Sequence, residues 1–129
     1  DVILIDSTDP VGPAVGLYQK EFFEDVHEAL KDDGIMVGQS ESPFFDRDVV
    51  RELYAILKPL FPIRKMYLAP VPSYPSGFWS FALCSKKHDP IVDNRCDDLR
   101  RLNFSTRYYN EAIHQAAFAI PNFVQELIA

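Results

Sequence analysis

The chain has 129 residues, 47% of them hydrophobic and 25% charged, with 13 Lys plus Arg against 19 Asp plus Glu and a formal net charge of -6. Domains run to roughly 100–200 residues and this apolar content builds a core, which describes one globular unit and excludes a disordered chain. A pI near 4.9 argues against nucleic acid as a partner and suits a cationic small molecule, while no apolar run approaches the ~20 residues that cross a bilayer, so no membrane partner is expected.

Asp1-Val2-Ile3-Leu4-Ile5-Asp6 reads as a strand already under way, so the chain is expected to be the C-terminal half of a larger enzyme. Its consecutive branched apolar residues suit a strand buried on both faces of a parallel sheet. Ser7 to Leu17, with Pro10, Gly12, Pro13 and Gly16, reads as a loop too long for a tight turn and therefore functional. Phe22, Phe23, Val26 and Leu30 predict a helix from about Gln19 to Leu30, ended by Asp32-Asp33-Gly34. Ile35-Met36-Val37 follows as a short buried strand, and the strand, helix, strand unit points to an α/β sheet.

Asp46 is placed to cap a helix from Arg47 to about Lys58, striped by Val49, Val50, Leu53, Ile56 and Leu57 and stopped by Pro59 and Pro62. Two β-rich segments, about Ile63 to Ala69 and Phe78 to Cys84, flank a Pro-rich stretch and predict an antiparallel hairpin closing the edge of the sheet. Lys86 to Arg107 reads as a polar, irregular surface. Helices Asn110 to Phe118 and Pro121 to Ile128 finish the chain. No repeat, low-complexity tract or second domain is visible over 1–129.

Ligands of open α/β sheets bind at the carboxyl ends of the strands, where Asp6 stands, with Asp9 further along the same loop. Two carboxylates there make a receptor for ammonium groups, one of which can also accept a proton; alternatively they shape a Ser-Thr-Asp-Pro turn. Gly12-Pro13 leaves loop backbone bare at one point and rigid at the next. Gln39 follows the second strand at the edge occupied by Asp6, where an amide can orient an amine. Tyr74-Pro75-Ser76-Gly77 reads as a hairpin tip with a packing ring, and Trp79 as core. His27 and His88 read as surface, His114 as packed or capping, and Cys84 as a small apolar residue. Two cysteines and three scattered histidines make neither a disulfide framework nor a metal cluster, and a reducing, cytoplasmic compartment is expected.

Taken together, DVILIDSTDPVGP over Asp1 to Pro13, with Leu17-Tyr18-Gln19-Lys20 and Phe22-Phe23, resembles the signature of the spermidine synthases, the polyamine aminopropyltransferases. Val71-Pro72 with Tyr74-Pro75-Ser76-Gly77, then Tyr108-Tyr109-Asn110, His114, Ala116-Ala117-Phe118 and Pro121-Phe123, look like the family's later blocks in the same order, and the general look is bacterial. The resemblance covers essentially the whole chain and corresponds to the C-terminal half of the family's catalytic domain.

This resemblance implies a Rossmann-like, S-adenosylmethionine-dependent methyltransferase-type fold. It also implies transfer of an aminopropyl group from decarboxylated S-adenosylmethionine, a co-substrate rather than a resident cofactor, to putrescine, giving spermidine and methylthioadenosine. Asp6 matches the family's proton acceptor and amine ligand, and Asp9 the second carboxylate of the diamine site, with Ser7 and Thr8 between them. Pro13 matches a loop residue against the thioadenosine, and Gln39 and Tyr74 match residues of the diamine channel. A homodimer is implied for the full-length protein. Thr8 stands where many relatives have serine. The family's glycine-rich nucleotide loop, ribose-binding acid, adenine-binding Asp and upstream tyrosine would all precede Asp1, so the chain alone is expected to be inactive.

The chemistry agrees with these assignments. Alkyl ammonium groups have pKa values near ~10, and a protonated amine has no lone pair for attack. A carboxylate at Asp6 can hold the ammonium and take its proton, help that contributes ~10²–10⁴-fold, while alignment under a lid spanning Ser7 to Leu17 supplies the rest. An alternative of another class is a non-catalytic polyamine-binding or scaffold module. A glycine-rich segment encoded ahead of Asp1 favours the enzyme, and a start codon there the module. A methyltransferase of the same fold acting on another amine fits less well, because DSTDP and YPSG are not general features of that fold.

Overall fold

The computed structural model describes residues 1–103 and 105–129. Strand β1 (Val2–Ile5) leads through a 3-10 segment, Gly12–Tyr18, into helix α1 (Lys20–Ala29) and then β2 (Ile35–Gln39). Helix α2 (Arg47–Leu60), β3 (Ile63–Pro70) and β4 (Phe78–Ser85) follow, and three short helices close the chain: α3 (Cys96–Arg101), α4 (Glu111–Ala117) and α5 (Asn122–Leu127).

The strands form one sheet in the order β1-β2-β4-β3. β1 and β2 are parallel, in a register that sets Ile5 beside Gly38. β4 runs antiparallel to both of its neighbours, with Gln39 beside Phe81 on one side and Tyr67 beside Phe81 on the other. The predicted hairpin is therefore present, but its second strand lies inside the sheet and its first forms the edge.

Alternation along the strands sorts side chains between two faces. Met36, Met66, Ala82 and Cys84 meet Phe23, Val26 and Leu30 of the α1 region, Val50, Leu53, Tyr54 and Leu57 of α2, and Val124 and Leu127 of α5 in one buried cluster. Leu57 is fully buried, a position worth ~1.5–3 kcal/mol relative to exposure. On the opposite face Tyr67 stacks on Phe81 at 5.0 Å and leans against Phe118, beside α4. Gly34 is required where α1 turns into β2, since a Cβ there would lie 2.7 Å from Asp1 Oδ1 and 2.8 Å from Leu30 Cδ2.

Several expectations are corrected. β1 pairs only with β2 among the described residues, so Val2 (59%) and Leu4 (75%) are exposed and the strand is covered on one face. The second half of the Ser7–Leu17 loop is helical, its 3-10 turn opened by proline near the start. β2 continues to Gln39, which ends the strand instead of following it. Asp46 occupies the N-cap position of α2 without a side-chain capping bond. Pro59 lies within α2 and does not stop it, because the apolar face runs on and Phe61, 1% exposed, donates its N–H to Leu57 O at 3.1 Å. The irregular Lys86–Arg107 stretch contains α3, where Arg95–Asp98, Arg100–Asp97 and Arg101–Asp98 pairs at helical spacing support a surface turn. His27 and His88 are half-buried, His27 resting against the Phe61 ring at 5.1 Å. His114 is packed as expected, its ring nitrogens 3.0 Å from Tyr109 Oη and 2.7 Å from Pro90 O.

Candidate functional site

Because β1 and β2 are parallel and in register, their carboxyl ends lie side by side, and this places Asp6 next to Gln39. The start of β4 and the hairpin tip approach the same end from the other side. Together with the amino-terminal turns of α2 they enclose an open cleft of about 1140 Å³. Asp6, Ser7, Thr8 and Asp9 form one wall, Gln39 and Glu41 the floor, and Val71, Tyr74, Trp79 and Phe81 the opposite side, with Phe45 and Val49 adding apolar surface. The volume exceeds the ~300–1,000 Å³ of a typical small-molecule pocket.

Asp6 and Asp9 are exposed to this cleft. Among the described residues neither carboxylate is hydrogen-bonded to backbone; the turn is closed instead by Val11 N–H donating to Asp9 O at 2.7 Å. The turn-shaping role is thus taken by main chain, and among the described residues neither acid spends its acceptor sites on a hydrogen bond.

Gln39 is the hub of the floor. Its Oε1 accepts from Trp79 Nε1 at 2.8 Å and from the Glu41 N–H at 3.2 Å. Its Nε2 donates to Glu41 Oε1 at 2.8 Å, contacts Ser7 O and Ser7 Oγ at 3.4 Å, and meets the Tyr18 hydroxyl. The Tyr18 hydroxyl in turn donates to Glu41 Oε1 at 2.7 Å, with Thr8 O and Ser7 Oγ each at 3.3 Å. Burial, opposed by the hydrogen bond from Ser7 and reinforced by the Glu41 carboxylate, pushes the Tyr18 phenol above its ordinary pKa and keeps it a donor.

Glu41 is 3% exposed and adopts φ 67, a left-handed conformation uncommon outside glycine. It is held there by Ser80, whose N–H and Oγ donate to Glu41 O at 3.1 and 2.7 Å. Tyr74, 47% exposed, tilts against Trp79 with ring centroids 4.5 Å apart. The structure thus gathers Asp6, Ser7, Thr8, Asp9, Gln39 and Tyr74 at one cleft. Pro13 does not line it: this residue is exposed within the 3-10 segment.

Two cleft residues, Trp79 and Glu41, and Tyr18 beside the cleft are not picked out as site residues by the sequence. Trp79 is core, as expected at 6% exposed, yet it also donates to Gln39. Tyr18 lies in the Leu17–Lys20 block that carries the resemblance but receives no role from it, and Glu41 carries no motif of its own. The available signal for Glu41 was its position just beyond the end of a buried strand at the edge that carries Asp6. Among the described residues no group of three His, Cys, Asp or Glu side chains is placed to hold a metal, and no helix is long and apolar enough to cross a membrane.

The spermine/spermidine synthase domain family matches residues 1–95. Polyamine aminopropyltransferases of Caldicellulosiruptor saccharolyticus and Moorella thermoacetica are 51% and 53% identical to this chain, each over 99% of it and over 45% and 44% of the relative. The Bacillus subtilis polyamine aminopropyltransferase is 46% identical, again over 99% of the chain and 45% of the relative. A spermidine synthase solved in complex with the transition state analogue AdoDATO superposes with a TM-score of 0.92 at 41% identity, covering 99% of this chain and 44% of that one. The Thermotoga maritima spermidine synthase gives 0.89 at 41% identity, over 99% of this chain and 43% of that one. The chain therefore belongs to the spermine/spermidine synthase family, with the Rossmann-like, methyltransferase-type sheet that the resemblance implied, and it spans about 45% of the length of the curated relatives it matches.

Proposed function

We propose that this chain is the C-terminal part of a polyamine aminopropyltransferase catalytic domain, in a cytoplasmic homodimer that transfers an aminopropyl group from decarboxylated S-adenosylmethionine to putrescine. The observation that carries the reading is the pair of uncommitted carboxylates, Asp6 and Asp9, facing the same cleft as Gln39, Tyr74 and Trp79. The similarity to a synthase solved with AdoDATO supports it from outside the chain.

Putrescine carries a cation at each end of an apolar tetramethylene. Acids for the ends and aromatic walls for the middle match that pattern, and a ring face also attracts an ammonium group by ~0.5–2 kcal/mol. Asp6 holds the reacting ammonium and accepts its proton, freeing the nitrogen lone pair. The nitrogen then bonds to the aminopropyl carbon beside the sulfonium while the carbon–sulfur bond breaks. The sulfur leaves as neutral methylthioadenosine, which needs no acid, so the proton on Asp6 is the only one to be placed. Asp9 anchors charge without entering the proton transfer.

The experiment is steady-state turnover by the full-length enzyme. Asp6→Asn is expected to lower kcat by ~10²–10⁴. Asp9→Asn is expected to act mainly on the KM for putrescine, by ~10-fold or more, the loss of one charged hydrogen bond. Near-normal turnover of Asp6→Asn overturns the assignment of the base. Polyamine binding without transfer by the wild type would mark a binding module instead.

A further inference from the structure

A single atom, the phenol oxygen of Tyr18, ties the end of the 3-10 segment to the two neighbouring strand ends at the cleft, which Gln39 Nε2 already links through longer contacts of 3.4 Å to Ser7. It reaches Ser7 Oγ and Thr8 O in the loop after β1, and Glu41 Oε1 beyond β2, from the end of the 3-10 segment. We propose that Tyr18 is a positioning residue that, by accepting from Ser7 Oγ and donating to Glu41 Oε1, latches the loop after β1, and with it Asp6 and Asp9, against the end of β2.

The two ends of the latch differ in rigidity, as a latch requires. Glu41 is buried, its carbonyl is pinned by Ser80, and its Oε1 is held from a second side by Gln39 Nε2 at 2.8 Å. The other end hangs on a segment that begins at Gly12, where φ is 59 and nothing lies within 4 Å of a would-be Cβ, and that buries none of its residues fully. Such a segment has few contacts to keep it docked once the phenol is removed. The bond is neutral donor to carboxylate, a short and comparatively strong type, and burial keeps the phenol protonated. A diamine that needs both Asp6 and Asp9 meets them already spaced only while the latch is closed.

The proposal rests on the reading that Asp6 and Asp9 receive the diamine, and its test separates the two. In the full-length enzyme, Tyr18→Phe is expected to raise the KM for putrescine by about tenfold, the loss of one such bond, with the KM for decarboxylated S-adenosylmethionine unchanged. Amides of Ser7 to Leu17 are expected to exchange hydrogen faster in Tyr18→Phe, whereas Glu41→Gln, still an acceptor, keeps them slow. Should Tyr18→Phe not fold, Glu41→Ala breaks the same bond from its rigid end and is expected to show the same exchange and KM changes. Unchanged exchange and unchanged putrescine KM overturn the latch, as does an equal rise in both KM values with global destabilisation. A wild type that transfers no aminopropyl group defeats the functional reading alone, because the exchange comparison still decides the latch.

Discussion

Trp79 Nε1 donates to Gln39 Oε1 at 2.8 Å, tying the second residue of β4 to the last residue of β2. An isolated amide can present either end to a cleft, but here the oxygen is claimed by an indole and by the Glu41 N–H. Nε2 must then point toward Ser7, Tyr18 and Glu41. The residue that reads as core from sequence thus decides which way the Gln39 amide faces.

Trp79→Phe keeps a buried ring and deletes the donor. The amide is then free to turn, leaving Glu41 without one of its two donors. A neutral hydrogen bond is worth ~0.5–1.5 kcal/mol, so the KM for putrescine is expected to rise by up to about tenfold, with a smaller effect on kcat. Steady-state kinetics of the full-length enzyme check this. Wild-type kinetics in Trp79→Phe would show that the indole bond does not orient the amide.

The regular elements were legible because their apolar spacing is strong. The α1 and α2 stripes, the two hairpin strands and the closing helices fall within a few residues of their observed bounds. The parallel pairing that brings Asp6 to Gln39 followed from the strand, helix, strand order. What stayed hidden depends on contacts between distant segments. Tyr18 sits in an exposed-looking stretch, and only the fold brings its hydroxyl to Glu41. The left-handed backbone of Glu41 is fixed by Ser80, thirty-nine positions away, and a single glutamate carries no local sign of it. The coverage of β1 depends on neighbours rather than on its own residues, so a uniformly apolar run was read as buried on both faces.

Tyr54 carries a polar atom the fold does not use. The side chain is 5% exposed in the α2 face of the core, and its hydroxyl has no hydrogen-bond partner among the described residues. Burial pushes its pKa well above the usual range, so the group is a neutral phenol whose desolvation is uncompensated. Tyr54→Phe removes that penalty while keeping the ring, and is expected to raise stability by ~1 kcal/mol. Urea unfolding at neutral pH measures it, and a lower midpoint in Tyr54→Phe would reveal a partner for the hydroxyl.

The alkaline limb of stability should report on Cys84. This thiol is fully buried on β4 between Met36 and Arg64, and burial, partly opposed by Arg64, pushes its pKa up to about 12. In the unfolded chain a cysteine ionises near ~8.5. Between those values the native state keeps a proton that the unfolded state has released. The stability due to this group is complete below the unfolded pKa and is lost as pH rises toward the folded one, at ~1.4 kcal/mol per pH unit. Cys84→Ala loses packing and is expected to be less stable at about pH 8, but its stability should fall less steeply between about pH 9 and about pH 10.5. Urea midpoints across that range distinguish the two slopes. Parallel slopes would mean that the thiol ionises in the native state as readily as in the unfolded chain, which a side chain sealed between β2 and β3 has no solvent to allow.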